Sequence, residues 1–133
     1  MTAPRTGDQR QMRYVIFNWV DPADATAWEA WPEAEQAADV DRHREWFAKY
    51  GDKIVGGEEL AYPPLVKTLR PGRQGEGVVT IDGPFLETKE ILGGFVIVEV
   101  DSMDEAVAMA SEWPSLVSQP NATVQVREGM VRG

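Results

Sequence analysis

The segment Asp82–Phe95, DGPFLETKEILGGF, combines charged side chains with the backbone freedom that a functional pocket uses. Asp82 heads an Asp-Gly-Pro turn, in which a carboxylate can bond backbone amides and a glycine can supply a positive φ. A turn at a strand end can also aim its side chain into a cleft, so a structural and a functional role both stand for Asp82. Glu87, Lys89 and Glu90 follow. Lys89 is suited to receive an anionic group of a substrate, with Glu87 or Glu90 holding it in place. Mixed charges of this kind also make an ordinary solvated face. Gly93-Gly94 would let the backbone approach a ligand or partner closely, or serve as an unstrained turn into the next strand.

A second source of chemistry is His43, the one histidine of the chain. It falls on a helical stripe with Val40, Phe47 and Tyr50. Imidazole moves protons near neutral pH, which suits a general acid or base. A histidine on such a stripe is also explained as a core residue bonded to a backbone carbonyl. Trp46 lies one turn away and would wall a pocket around it. The chain has no cysteine, which removes disulfides, iron–sulfur clusters, thiolate zinc sites and a cysteine nucleophile. A single histidine rules out a multi-His metal centre within one chain, whereas carboxylates stay available to a hard cation. Serine nucleophile elbow, phosphate loop and dinucleotide fingerprint are all missing. Cofactor-free proton transfer is the enzymatic chemistry that remains.

Charge narrows the partners. The 133 residues carry 22 acidic against 13 basic side chains, a net charge of -9. Phosphate backbones and anionic membrane surfaces repel such a chain, so neither nucleic acid nor membrane is expected as a partner. Arg70 and Arg73 make no basic stripe. No apolar run approaches the ~20 residues of a membrane helix. MTAPRTGDQRQ lacks the apolar core of a secretory signal, so a cytoplasmic protein is expected.

The elements that must position these residues follow from periodicity and punctuation. Residues 1–11 read as a disordered tail, and 12–133 as a single domain. MRYVIFNWV is a strand, apolar on both faces. Asp21-Pro22 breaks it. A loop carrying Trp28 and Trp31 leads to a helix from about Pro32 to Tyr50, where proline suits the first turn and Gly51 the end. KIVGGEEL is a short strand whose glycine pair suits a bulge. Leu65–Leu69 and Gly77–Ile81 form a hairpin. GGFVIVEV is again apolar on both faces. Ser102 and Glu105 make a capping box for a helix that Pro114 ends. Thr123–Arg127 is the last strand, with Val124 and Val126 inward. Two helices cover one face of such a sheet, and the apolar second face calls for another cover. A second copy is the simplest one. The fold class is therefore α+β, a ferredoxin-like sandwich with an antiparallel sheet and two helices on one face, dimerising sheet to sheet.

The string Asp82–Gly94 resembles the signature of DGPF-type proteins, a branch of the YCII-related family. Gly56-Gly57 followed by Leu60, a helix carrying His43, and Val-Gln-Val-Arg-Glu near the end stand where that family has them. The resemblance covers about residues 12–129. It implies a dimeric α/β barrel, and a pocket in which a histidine and an aspartate form a catalytic pair, here His43 and Asp82. The fold is similar to that of muconolactone isomerases, and relatives include a dehydrochlorinase. The N-terminal tail, Trp28 and Trp31 depart from the pattern. Two functions follow. One is a cofactor-free lyase or isomerase acting on a small anionic or carbonyl-bearing ligand, with Trp46, Glu87, Lys89 and Glu90 binding it. The other is a non-catalytic ligand-binding or regulatory module acting as a homodimer.

Overall fold

The computed structural model describes residues 12–60, 66–83 and 90–130. The expected tail at 1–11, and with it Glu87 and Lys89, lies outside the described residues. Four strands build the main sheet: β1 (Met12–Val20), β2 (Ile54–Glu59), β5 (Ile91–Val100) and β6 (Thr123–Glu128). Their order is β2-β5-β1-β6, and every neighbouring pair is antiparallel. Helix α2 (Glu33–Tyr50) joins β1 to β2, and α3 (Met103–Ala110) joins β5 to β6. This is the ferredoxin-like α+β arrangement expected from the element order. Between its second and third strands stands an additional hairpin, β3 (Lys67–Pro71) with β4 (Val78–Asp82), which forms its own two-stranded sheet.

Strand alternation divides the sheet residues between two faces. Tyr14 lies opposite Val98, and Ile16 opposite Val96. These residues, with Val100, are buried against Trp46, Ala106, Met109, Ala110 and Trp113 from the helical side. Each such Val or Ile contributes roughly 1.5–3 kcal/mol on burial. Tyr14 is deep enough that burial pushes its phenol up from 10.0, with Glu128 adding to the shift. On the opposite face Val15 pairs with Ile97 and Phe17 with Phe95. These four and Trp19 are only half-buried.

The helices depart from expectation at their edges. Residues 22–29, expected as loop, form helix α1 (Pro22–Glu29). The Asp21 carboxylate accepts from the Ala23 amide at 2.8 Å, and Pro22 occupies the first turn. Both are sound start signals, but the segment has no apolar stripe, so periodicity is silent there. Tertiary bonds hold it instead. The buried Asp24 carboxylate accepts from the Asn121 amide and side chain, each at 3.0 Å. Helix α3 ends at Ala110, short of Pro114, and Pro114 opens a further helical turn, α4 (Ser115–Ser118). Ser102 caps α3 by accepting from the Glu105 amide at 3.1 Å. The Glu105 carboxylate turns to Lys53 at 3.6 Å, so only half of the expected capping box forms. The register shift in β2 falls between Ile54 and Gly56, where the glycine pair suggested a bulge.

Candidate functional site

A cavity of about 720 Å³ lies between the helices and the sheet, a volume within the range of small-molecule sites. Its floor is the helix-facing side of β1, β2 and β5, including Ile16, Asn18, Val96, Gly57 and Gly94. The two glycines keep that floor low. A Cβ on Gly57 would stand 2.5 Å from the Phe95 carbonyl oxygen, and one on Gly94 would stand 3.0 Å from that of Glu58. Helix α2 supplies Asp39, Val40, His43 and Phe47, one apolar-to-polar stripe of the helix. Trp28 and Glu29 come from the end of α1, Glu58 and Glu59 from β2, and Trp113, Ser115 and Gln119 from the segment after α3.

His43 is held by its own helix. Its Nδ1 lies 2.8 Å from the Asp39 carbonyl oxygen. A carbonyl only accepts, so Nδ1 carries the proton and donates it, leaving the Nε2 lone pair free. The Asp39 carboxylate stands 3.9 Å from the same nitrogen. Trp113 meets the imidazole edge-on, with ring centroids 5.3 Å apart. The side chain retains 28% of its exposure, so the ring is reachable.

Asp39 is the most buried charge of the cavity wall, at 4% exposure. Its Oδ2 accepts from Trp28 Nε1 at 3.0 Å. Oδ1 has no hydrogen-bond donor, and Arg42 Nη2 stands off at 3.5 Å. Among the described residues no three His, Asp or Glu side chains gather as a metal set. No helix there is long and apolar enough to cross a membrane.

The model of the YCII-related domain matches residues 12–128. The chain belongs to the YCII-related family. An uncharacterised protein of Rhizobium meliloti (strain 1021) is 31% identical over 101 residues, covering 76% of this chain and 79% of that protein.

Within this YCII-related domain the expected site residues that the structure describes are dispersed. His43 lines the cavity. Asp82 does not: it is an exposed residue at the end of β4, ion-paired with Lys67, its cross-strand neighbour in the hairpin. No contact joins Asp82 to His43 among the described residues. Trp46 lies in the core at 4% exposure, where its indole N–H donates to the Met109 carbonyl at 2.9 Å and ties α2 to the helix below it. Phe47, its neighbour in sequence, takes the place at the cavity wall. Glu90 precedes β5, half-buried, and is not part of the described lining.

Asp39 and Trp113 were the residues missed, while Trp28 stood out as a departure from the family pattern. Asp39 precedes His43 by four positions, and that spacing on a helix brings side chains to one face. The signal was therefore present, in the pattern Asp-x-x-x-His. Trp113 carried no such signal, because the turn after α3 reaches the cavity through tertiary packing.

Proposed function

We propose that this YCII-related domain, read as a DGPF-type member, binds a small molecule in the cavity beneath α2 and moves a proton on it without a cofactor. The observation that carries the proposal is the tautomer of His43: Nδ1 donates to the Asp39 carbonyl at 2.8 Å, so Nε2 is left as a base beside a largely apolar cavity. Nε2 takes a proton from an acidic C–H of the substrate. The Asp39 carboxylate, 3.9 Å from the ring, faces the imidazolium so formed. Return of the proton at a second position completes an isomerisation. In an elimination the electron pair of the broken C–H bond forms the new double bond while the leaving group departs with the electron pair of its own bond to the neighbouring carbon.

A metabolite screen comparing wild type with His43→Ala tests this. Turnover that is lost in the variant supports the proposal, and equal turnover by both proteins removes histidine from the mechanism. The partner of the histidine is tested by Asp39→Ala beside Asp82→Ala. The larger loss is expected for Asp39→Ala. A loss confined to Asp82→Ala would restore the pairing that the family resemblance implies.

The domain is further proposed to act as a homodimer. Val15, Phe17, Trp19, Phe95 and Ile97 lie on the sheet face away from the helices, half-buried, and a second copy of the same face would cover them.

A further inference from the structure

The ligand expected from Lys89 is anionic, but the described wall of the cavity has the opposite character. Glu29, Asp39 and Glu59 line it, and no lysine or arginine does so among the described residues. Glu58 also borders it but pairs with Phe95 on the far face of the sheet. Strand register puts Glu59, which faces Gly94, on the same side of the sheet as the cavity floor. Three aromatic rings, Trp28, Phe47 and Trp113, stand around the same space. A π face attracts a cation and repels an anion.

Unmet hydrogen bonding points the same way. Asp39 is buried, and its Oδ1 has no hydrogen-bond donor, the Arg42 guanidinium standing 3.5 Å away as an ion-pair partner. Asn18, on the cavity floor, likewise holds a buried Oδ1 without a donor. A buried acceptor left unpaired costs stability, most of all when it is charged. Both oxygens have capacity for an N–H donor. The net charge of -9 adds a long-range field of the same sign.

We infer that the cavity selects a protonated amine carried on an apolar body, with the ammonium directed to the Asp39 and Glu59 side of the wall and the apolar part against the rings. This rests on the proposal that the cavity is a ligand site, and it names the ligand class of that site. An ammonium held near Asp39 also lies close to His43, because the carboxylate and the imidazole Nδ1 are 3.9 Å apart.

The test is calorimetric titration of the full chain at neutral pH with three probes of similar size: 2-phenylethylamine, 3-phenylpropanol and 3-phenylpropionate. The amine is expected to bind at least about tenfold tighter than the carboxylate, the ratio that a cation–π contact and one carboxylate contact supply together. Its affinity is expected to fall about threefold or more in Glu59→Gln and in Asp39→Asn. The second variant keeps an acceptor for Trp28, and the first alters an exposed residue, so loss of folding does not mask the answer. Equal or tighter binding of the carboxylate would overturn the inference, as would amine binding indifferent to both variants. Binding of no probe at all would overturn the ligand site with it. Amine binding that persists, together with turnover unaffected by His43→Ala, would leave the inference standing and reject only the proton transfer.

Discussion

At the scale of single residues, the site is set by what Asp39 and two glycines do. Asp39 joins three things: the Trp28 indole at 3.0 Å, the imidazole of His43, and the guanidinium of Arg42 at 3.5 Å. Truncation to alanine leaves the half-buried Trp28 indole N–H without its acceptor. Asp39→Ala is therefore expected to destabilise the domain by about 1–3 kcal/mol, read as a lower midpoint in urea unfolding. An unchanged midpoint would mean that α1 is not anchored through this bond. Gly57 has φ +150, and a Cβ there would run into the Phe95 carbonyl at 2.5 Å. Gly57→Ala is expected to cost about 1–3 kcal/mol through backbone strain, in the same unfolding experiment. Both positions show how far a sequence speaks for itself. Gly93-Gly94 was legible as a place of close backbone approach and Gly56-Gly57 as a bulge, both from the backbone freedom of glycine. The partner of His43 was not singled out, because the carboxylate four residues upstream was one acidic residue among many in an acidic chain.

At the scale of elements, the helical layer is tied together by the end of α2 and the residues just after α3. Lys49 Nζ and Tyr50 Oη both donate to Glu112 Oε1, at 2.8 and 2.6 Å. Those bonds, from Lys49 first and Tyr50 next, hold the Glu112 carboxyl below its ordinary 4.5. The Lys49 ammonium and the Tyr50 phenol are both raised, first of all by their bonds to Glu112. A lowered carboxyl stabilises the fold above its unfolded value and ceases to as pH falls through its folded value. Raised Lys and Tyr groups stabilise the fold below their unfolded values and cease to as pH rises through the folded ones. The tether is therefore complete between about pH 4.5 and 10.0 and weakens outside that window. Glu112→Gln is expected to unfold more easily than wild type at neutral pH, with the gap narrowing as pH falls below the ordinary carboxyl value. Thermal unfolding across an acid titration reads this directly, and a gap that stays constant with pH would reject the tether. None of these contacts was visible in the linear chain. Lys49 and Glu112 are 63 positions apart, and only packing of α2 beside α3 brings them together.

At the scale of the whole molecule, the main sheet has one face under helices and one face that is apolar and half-buried. Phe17 and Phe95 are directly opposed in register on that second face. The homodimer proposed to cover it is expected to give twice the monomer mass in light scattering at micromolar concentration. Phe17→Asp would place a charge at the centre of the interface and is expected to shift the protein to monomers while leaving the helical core folded. A monomeric wild type would reject the sheet-to-sheet arrangement. The β3–β4 hairpin adds a second exposed apolar surface, with Leu69 and Val78 at 63% and 66% exposure.

Local pattern determined a great deal. Alternating and continuous apolar runs marked β1 and β5, a three-four spacing marked α2, and punctuation by Gly, Pro and Ser marked the hairpin and the start of α3. The element order then led to the ferredoxin-like class, because short connections and two helices leave few ways to cover a sheet. These features depend on neighbours in sequence, which is why they could be read there. The string Asp82–Gly94 led to the family, and among its described residues Gly93 and Gly94 line the cavity whereas Asp82 does not. Tertiary structure decided that Asp82 pairs with Lys67, that Trp46 belongs to the core, and that Asp39, Trp28 and Trp113 surround His43. The physical reason is the same in each case. A side chain takes its partner from the surface opposite, and which surface that is depends on how helices and strands pack rather than on what precedes or follows it in the chain.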